Sequence, residues 1–316
     1  MIPSMAWQAG PAGPCQAAER VRWYSLRMFR YLLIWFLLLA GPSHAADEQF
    51  DAVREAAERG DADAQFRLGF LHDTGDGVPE NDAEAVLWYR RAADQGHAEA
   101  QFHLGMKHHS GEAGSGNDAE HVHWYRMAAE QGHTIAQYAL GSMYANGDGV
   151  PMDQAEAVRW FRRAAEQGHI WSQFNLGIRY FLGEGVPRDE AMAVHWYRMA
   201  ADGGHPVAQF NLGVIYATGQ GVPEDDAEAV FWLRKAAEQG HVVAQYNLGQ
   251  MYANGDGVPE DRVEAYAWLV LSATLGMREA HLEVESLTQV MTGPELEEAR
   301  QLARELWDTI SSSRNM

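Results

Sequence analysis

Hydrophobic and polar positions along this chain recur with a period of 36 residues. The string Ala-Gln-Phe/Tyr-x-Leu-Gly stands at 64–69, 100–105, 136–141, 208–213 and 244–249, and with serine for alanine at 172–177. Trp88, Trp124, Trp160, Trp196, Trp232 and Trp268 keep the same beat. Six registers without an insertion mark an array of like units, each burying its apolar face on the next. Within a unit the spacing is helical. Ala208, Leu212, Ile215 and Tyr216 share one face at about 100° per residue, which predicts a first helix, A, from Ala208 to Thr218. Glycine inside such a helix costs about 1 kcal/mol against alanine. Its return at Gly69, Gly105, Gly141, Gly177, Gly213 and Gly249 predicts a neighbouring helix pressed where any Cβ would stand.

A Gly-x-Gly-Val-Pro turn follows helix A at 75–79, 147–151, 183–187, 219–223 and 255–259. Glycine permits positive φ, and proline lacks the N–H that a continuing helix needs. A second helix, B, is predicted to open at Asn81, Asn117, Asp153, Asp189, Asp225 and Asp261, all preferred N-caps. Three residues on stand Glu84, Glu120, Glu156, Glu228 and Glu264, the capping-box partners, with Met192 the exception. Helix B closes on a glycine suited to the left-handed C′ position, at Gly96, Gly132, Gly168, Gly204, Gly240 and Gly276. The second unit departs from pattern, reading Gly111-Glu112-Ala113-Gly114-Ser115, and a looser turn is expected there. The six tryptophans are expected to be core, each worth about 3 kcal/mol or more on burial.

These residues resemble the Sel1-like repeat: A-Q-F/Y-x-L-G, then G-x-G-V-P, then A-x-x-W-Y/F-R-x-A-A-E-Q-G, over residues 64–279. The resemblance implies an all-α fold, an α/α solenoid winding as a right-handed superhelix like tetratricopeptide arrays. Its six repeats would span 64–99, 100–135, 136–171, 172–207, 208–243 and 244–279. A lone helix in 46–63 and two helices over 280–308 are expected to cap the stack, with 309–316 frayed. Sel1-like proteins serve as adaptors in signalling, envelope regulation and host contact. The resemblance therefore implies a non-enzymatic protein–protein interaction scaffold.

The amino terminus carries a different signal. Arg27 and Arg30 precede ten apolar residues, Tyr31 to Ala40, and Gly41-Pro42 and Ser43-His44-Ala45 follow. That order is a signal peptide over 28–45 with cleavage after Ala45, so a periplasmic or secreted protein is expected. Residues 1–27 read as a non-physiological leader or an extended n-region, Met28 making the compact start. The apolar run is half the roughly 20 residues that span a bilayer, so no stable membrane span is expected after cleavage. Cys15, the single cysteine, excludes intramolecular disulfides and thiolate-rich metal sites.

Composition narrows the partners. Of 316 residues 47% are apolar, enough for a sizeable core. Residues 46–316 hold 20 basic against 43 acidic side chains, a net −23. Such a field repels phosphate backbones, which argues against nucleic acid. A protein or an extended peptide segment is the expected partner, and the protein is expected to be a monomer. There is no phosphate loop, no Gly-x-Ser-x-Gly and no His-Glu-x-x-His, so neither an enzyme nor a cofactor is expected. The rival enzymatic reading is an envelope activity of the peptidoglycan- or β-lactam-hydrolysing type, claimed for cysteine-rich relatives whose cysteine pairs this chain lacks.

Candidate side chains fall into two sets. His103, His108, His109, His121 and His123 crowd the second unit and would carry a metal-responsive sensor. His108, however, fills the slot of Tyr144, Tyr180, Tyr216 and Tyr252, so a metal is not expected. The in-phase His97, His133, His169, His205 and His241 are expected to serve the carboxyl end of helix B. The second set is a variable stripe on helix A, expected to face a concave groove: Arg67, His103, Met106, Asn175, Ile178, Asn211, Val214, Asn247, Gln250 and Asn254. In it Asn175, Asn211 and Asn247 form a ladder of donors and acceptors able to hold a peptide backbone; the bland alternative is that they only tighten neighbouring A helices.

Overall fold

The computed structural model describes residues 44–113 and 118–314. The expected leader and apolar run, the Asn117 cap and the Gly114-Ser115 part of the second turn lie outside the described residues. Every described element is an α-helix. The chain divides into two compact units, one ending at His169 and the other beginning at Ile170. In the first, α1 (His44–Glu58) precedes three hairpins: α2 (Ala62–Thr74) with α3 (Asp82–Asp94), α4 (Ala98–Ser110) with α5 (Asp118–Glu130), and α6 (Thr134–Asn146) with α7 (Gln154–Glu166). The second holds α8 (Ile170–Leu182) with α9 (Glu190–Asp202), α10 (Pro206–Thr218) with α11 (Asp226–Glu238), and α12 (Val242–Asn254) with α13 (Arg262–Thr274). It closes with α14 (Arg278–Val290) and α15 (Gly293–Arg314). Within each unit an A helix packs on its own B helix, and that B helix on the next A helix. The fold is an all-α solenoid.

Local chemistry explains the boundaries. The side chains of Asn81, Asp189 and Asp225 accept the backbone N–H three residues on, opening α3, α9 and α11. Asp153 and Asp261 do the same for α7 and α13. The A helices end where Gly75, Gly147, Gly219 and Gly255 turn left-handed, at φ between 66° and 79°. Helix A starts two residues before the Ala-Gln signature, at Pro206 for example, because the cap lies at the histidine of the preceding Gly-His pair.

Tryptophan and glycine sit in the packing as their phase requires. Trp88, Trp124, Trp160, Trp196, Trp232 and Trp268 are all buried. Trp124 joins the cluster of Tyr89, Ala92, Ala93 and Leu104, and Trp232 that of Tyr197, Leu212 and Ile215, so each packs across the seam between its own repeat and the preceding one. A Cβ on the A-helix glycine would meet the residue after that tryptophan: Tyr89, Tyr125, Phe161, Tyr197, Leu233 or Leu269, at 2.5–2.9 Å.

Two expectations for the ends and one for a turn change. Residues 309–314 are not frayed: α15 runs to Arg314, and Ile310 is buried with Ala303 in the core of the second unit. Thr292 and Glu295 form a capping box that starts α15, with a 2.7 Å bond from the Thr292 N–H to the Glu295 carboxylate. At the other end, α1 begins at His44, ahead of the expected start at 46. In the second turn, Gly111 is left-handed and the Ala113 N–H reaches the Lys107 carbonyl at 3.0 Å. The described part of that turn is thereby pinned.

Candidate functional site

The stripe expected to line a groove divides on inspection. Asn211 and Asn247 are 4% and 5% exposed, and Val214 is buried with them. The Asn211 amide faces the Tyr197 hydroxyl of the preceding B helix. Asn175 turns its Nδ2–H onto its own helix, at Trp171 O, 2.8 Å away. Asn247 Nδ2 is buried without a partner, so the three asparagines do not form one exposed ladder: two are enclosed and the third is half-buried with its amide turned onto its own helix. Gln250 is likewise engaged, donating to the Tyr246 hydroxyl and to Glu283 of α14. Met106 and Ile178 pack partly buried against their cores. Arg67 and Asn254 are exposed. Arg67 borders an open pocket of about 360 Å³ with Val53, Ala56 and Asp63.

The accessible part of an A-helix face lies elsewhere, on α8. Trp171, Phe174, Ile178 and Leu182 follow at spacings of three, four and four, one line down the helix. Trp171 is 52% and Leu182 51% exposed, and Phe174 and Ile178 are half-buried beneath them. The equivalent slots in the other A helices include Ser110, Asn146, Thr218 and Asn254, so α8 is the one that stays apolar throughout. The unit bearing it has 10 basic against 21 acidic residues over 170–316.

The histidine expectations need correction as well. His97, His133, His205 and His241 serve the end of helix B through their backbone N–H, which bonds Ala92, Ala128, Ala200 or Ala236 O at 3.0–3.1 Å, and not through their rings. Their Nδ1 atoms accept the N–H of Ala100, Ala136, Ala208 and Ala244 at 3.1–3.2 Å, capping the following A helix. Histidine is an unusual N-cap, and its ring is used a second way, stacked on the aromatic of the preceding signature.

In the second repeat, His103 sits in a nest of rings, 5.4 Å from Phe66 and 5.2 Å from Tyr89. Burial pushes its imidazole down to about 4, partly offset by Asp73 and Glu99. His108 Nε2 lies 3.1 Å from Arg90 and 3.2 Å from Glu120, taking the place that Tyr144 and Tyr216 take toward Arg126 and Arg198. His109 and His121 face each other with rings 5.1 Å apart, and His123 lies against Trp124. Among the described residues no group of three or more histidines and carboxylates is placed to hold a metal ion.

Two arrangements escaped the sequence reading. Lys107 is buried, with its ammonium bonded to Asp73, to Asp82 at 2.6 Å and to Glu112 at 2.7 Å. Burial alone would lower its pKa, but the three carboxylate bonds outweigh that and hold it well above the ordinary lysine range. The second is a glutamine relay. Gln65, Gln101, Gln137, Gln209 and Gln245 donate to buried alanine carbonyls at 3.0–3.1 Å. Gln95, Gln131, Gln167 and Gln239 donate in turn to the first four, at 2.7 Å. Both sets recur at the period of 36, which was the available signal.

Comparison with known proteins follows the same repeats. A family profile described as Sel1 repeat matches residues 62–97, 98–133, 134–169, 172–205, 206–241 and 242–277. Proteins of that family are generally non-enzymatic interaction scaffolds. A solved structure titled as c5321, a protective antigen of uropathogenic Escherichia coli displaying an SLR fold, is 35% identical, with a TM-score of 0.73 over 84% of this chain and 56% of that one. A Sel1 repeat protein from Oxalobacter formigenes is 37% identical, with a TM-score of 0.56 over 67% of this chain and 84% of that one. An exopolysaccharide production negative regulator of Rhizobium meliloti (strain 1021) is 35% identical over 86 residues, which are 27% of this chain and 32% of the regulator. This chain thus spans about a third of that relative. No described helix is long and apolar enough to cross a membrane.

Proposed function

The chain belongs to the Sel1 repeat family, and from that premise we propose that it is an exported, monomeric, non-enzymatic scaffold that docks a partner protein along the α8 line. The observation that carries this reading is the exposure of Trp171 and Leu182 at the two ends of a continuous apolar face, while Asn211, Val214 and Asn247 of the other A helices are enclosed. An exposed tryptophan and leucine joined by half-buried Phe174 and Ile178 offer anchor sites about 16 Å apart along a preformed helix. A rigid surface spares the ordering cost of assembling such a site on binding. The acidic field around it selects a partner segment that sets large apolar side chains among lysines or arginines. Export is supported by Arg27, Arg30 and the ten apolar residues from Tyr31 to Ala40.

The test is affinity capture from an envelope extract on residues 46–316, followed by synthesis of the captured segment. The expected result is a peptide whose binding falls at least tenfold in Trp171→Ser/Leu182→Ser and stays unchanged in Asn247→Ala. Equal binding by parent and double variant would end the α8 assignment, and catalytic turnover of an envelope substrate would end the scaffold reading.

A further inference from the structure

The histidine caps fall into two classes, distinguished at the ring nitrogen that does not cap. Because Nδ1 accepts a backbone N–H in His97, His133, His205 and His241, each cap exists only with a neutral ring whose proton is on Nε2. In all four the ring stacks on Phe66, Phe102, Phe174 or Phe210, with centroids 4.3–4.8 Å apart and planes within 23°. The Nε2 of His97 then lies 3.2 Å from Asp63, and that of His133 3.2 Å from Glu99. Glu99 also feels His103 and His97, and the His133 hydrogen bond chiefly holds its carboxyl below the usual range.

Two and three periods on from Glu99, the carboxylate slot holds Trp171 for His205 and Val207 for His241. Trp171 meets the His205 ring edge-on at 4.4 Å, and the His205 Nε2 is buried without a partner. From α8 His205 is faced by Trp171 and Phe174, and from α10 His241 is faced by Phe210. The neighbouring Gln239 spends its Nε2–H on Gln209 and the Gly204 carbonyl. Among the described residues no charged group acts on either imidazole.

We propose that His205 and His241 are acid-operated latches on the unit that begins at Ile170. Protonation puts a hydrogen on Nδ1, removes the caps of α10 and α12, and leaves an unpaired charge between aromatic rings. Protonation of His97 or His133 also removes its Nδ1 cap, but the ring gains an ion pair with Asp63 or Glu99 that offsets the loss, so the unit ending at His169 is spared the net cost. Burial drives His205 and His241 down to about 4, against about 6.5 for an exposed imidazole. The folded pKa is depressed, so this stabilisation is complete above about pH 6.5 and is lost as pH falls through about 4. The consequence for binding rests on the α8 docking reading: Trp171 and Phe174 lie on the His205 ring, so an opened latch disturbs the line and releases a docked segment.

The latch is measured without a partner, by amide hydrogen exchange of the full chain at pH 7 and pH 4 with intrinsic rates normalised. Protection in 206–218 and 242–254 is expected to fall at least tenfold relative to 98–110 and 134–146. His205→Asn/His241→Asn keeps a non-titrating cap and is expected to abolish the difference. Should that variant fold poorly, Val207→Glu supplies a carboxylate at the Glu99 slot and is expected to raise the His241 pKa by at least one unit in an imidazole NMR titration. Equal loss in both units, an unchanged drop in the double asparagine variant, or a parental His241 titrating near 6.5 would each overturn the latch. A latch that opens while a docked segment stays bound counts against the docking line alone.

Discussion

A methyl group placed on Gly177 would stand 2.5 Å from Cδ1 of Tyr197. The two residues are the α8 and α9 halves of one hairpin contact, and the same pair recurs as Gly213 with Leu233, where the gap is 2.6 Å. Alanine at position 177 gains about 1 kcal/mol of helix propensity but overpacks a buried ring, which costs about 1–3 kcal/mol. Gly177→Ala is therefore expected to lower the urea midpoint. Gly293→Ala, with nothing within 4 Å of the added Cβ, is the control and is expected to shift stability by no more than about 0.5 kcal/mol. A midpoint raised by Gly177→Ala would mean the hairpin is not this tight.

Asparagine and tryptophan at neighbouring slots are expected to separate stability from binding. Asn211→Ala truncates a side chain that is 4% exposed and faces the Tyr197 hydroxyl, and should cost about 1 kcal/mol or more. Trp171→Ser, at a half-exposed position, should cost about 0.5 kcal/mol or less in chemical denaturation while weakening partner binding. The reverse pattern would restore the asparagine ladder as the recognition surface.

Lys107 holds three carboxylates from different segments, and removing it leaves them facing one another in a partly buried site. Lys107→Met is expected to destabilise the unit ending at His169 by about 1–3 kcal/mol, less than a fully buried charge would cost because Asp82 and Glu112 keep access to water. Glu112→Gln, which leaves Asp73 and Asp82 on the ammonium, should cost clearly less. Thermal scans of both variants measure the difference, and a Lys107→Met protein as stable as the parent would show the cluster to be solvated.

Alkali probes the same cores from the other side. Burial pushes the Tyr125 and Tyr197 phenols well above their ordinary value, with the Asn211 amide a small opposing effect at Tyr197. A raised pKa means that the folded state holds these protons more tightly. Their contribution is thus undiminished below about pH 10 and lost above it. Phenolate absorbance and helical circular dichroism, followed together, are expected to show these two tyrosines ionising only as helix is lost. Full ionisation near pH 10 with helix intact would contradict their burial.

Most of the helical framework was legible along the chain because it rests on contacts close in sequence. Asp189 caps a helix three residues away, Gly219 ends one, and Gly177 meets Tyr197 twenty residues on in the same hairpin. A strict period repeats each local fact six times and removes the ambiguity that a single instance carries. The final helix was misjudged because the polar run after Trp307 hides Ile310, whose burial depends on a core built earlier in the chain.

The candidate site was less legible. A histidine at the junction of helices B and A has the same sequence context whichever helix it serves, and the orientation of Nδ1 toward Ala208 or Ala244 decides. Asn211 has equal capacity to hold a peptide or a tyrosine, and the Tyr197 it faces belongs to the preceding repeat.

The sequence by itself determined the number of units, their phase, the caps and turns, and which residues are core, since each follows from periodicity and short-range chemistry. Only the tertiary structure decided which face stays open to solvent. Exposure at Trp171 and enclosure at Asn247 are set by how neighbouring helices approach, and side chains that share a period need not share a neighbour.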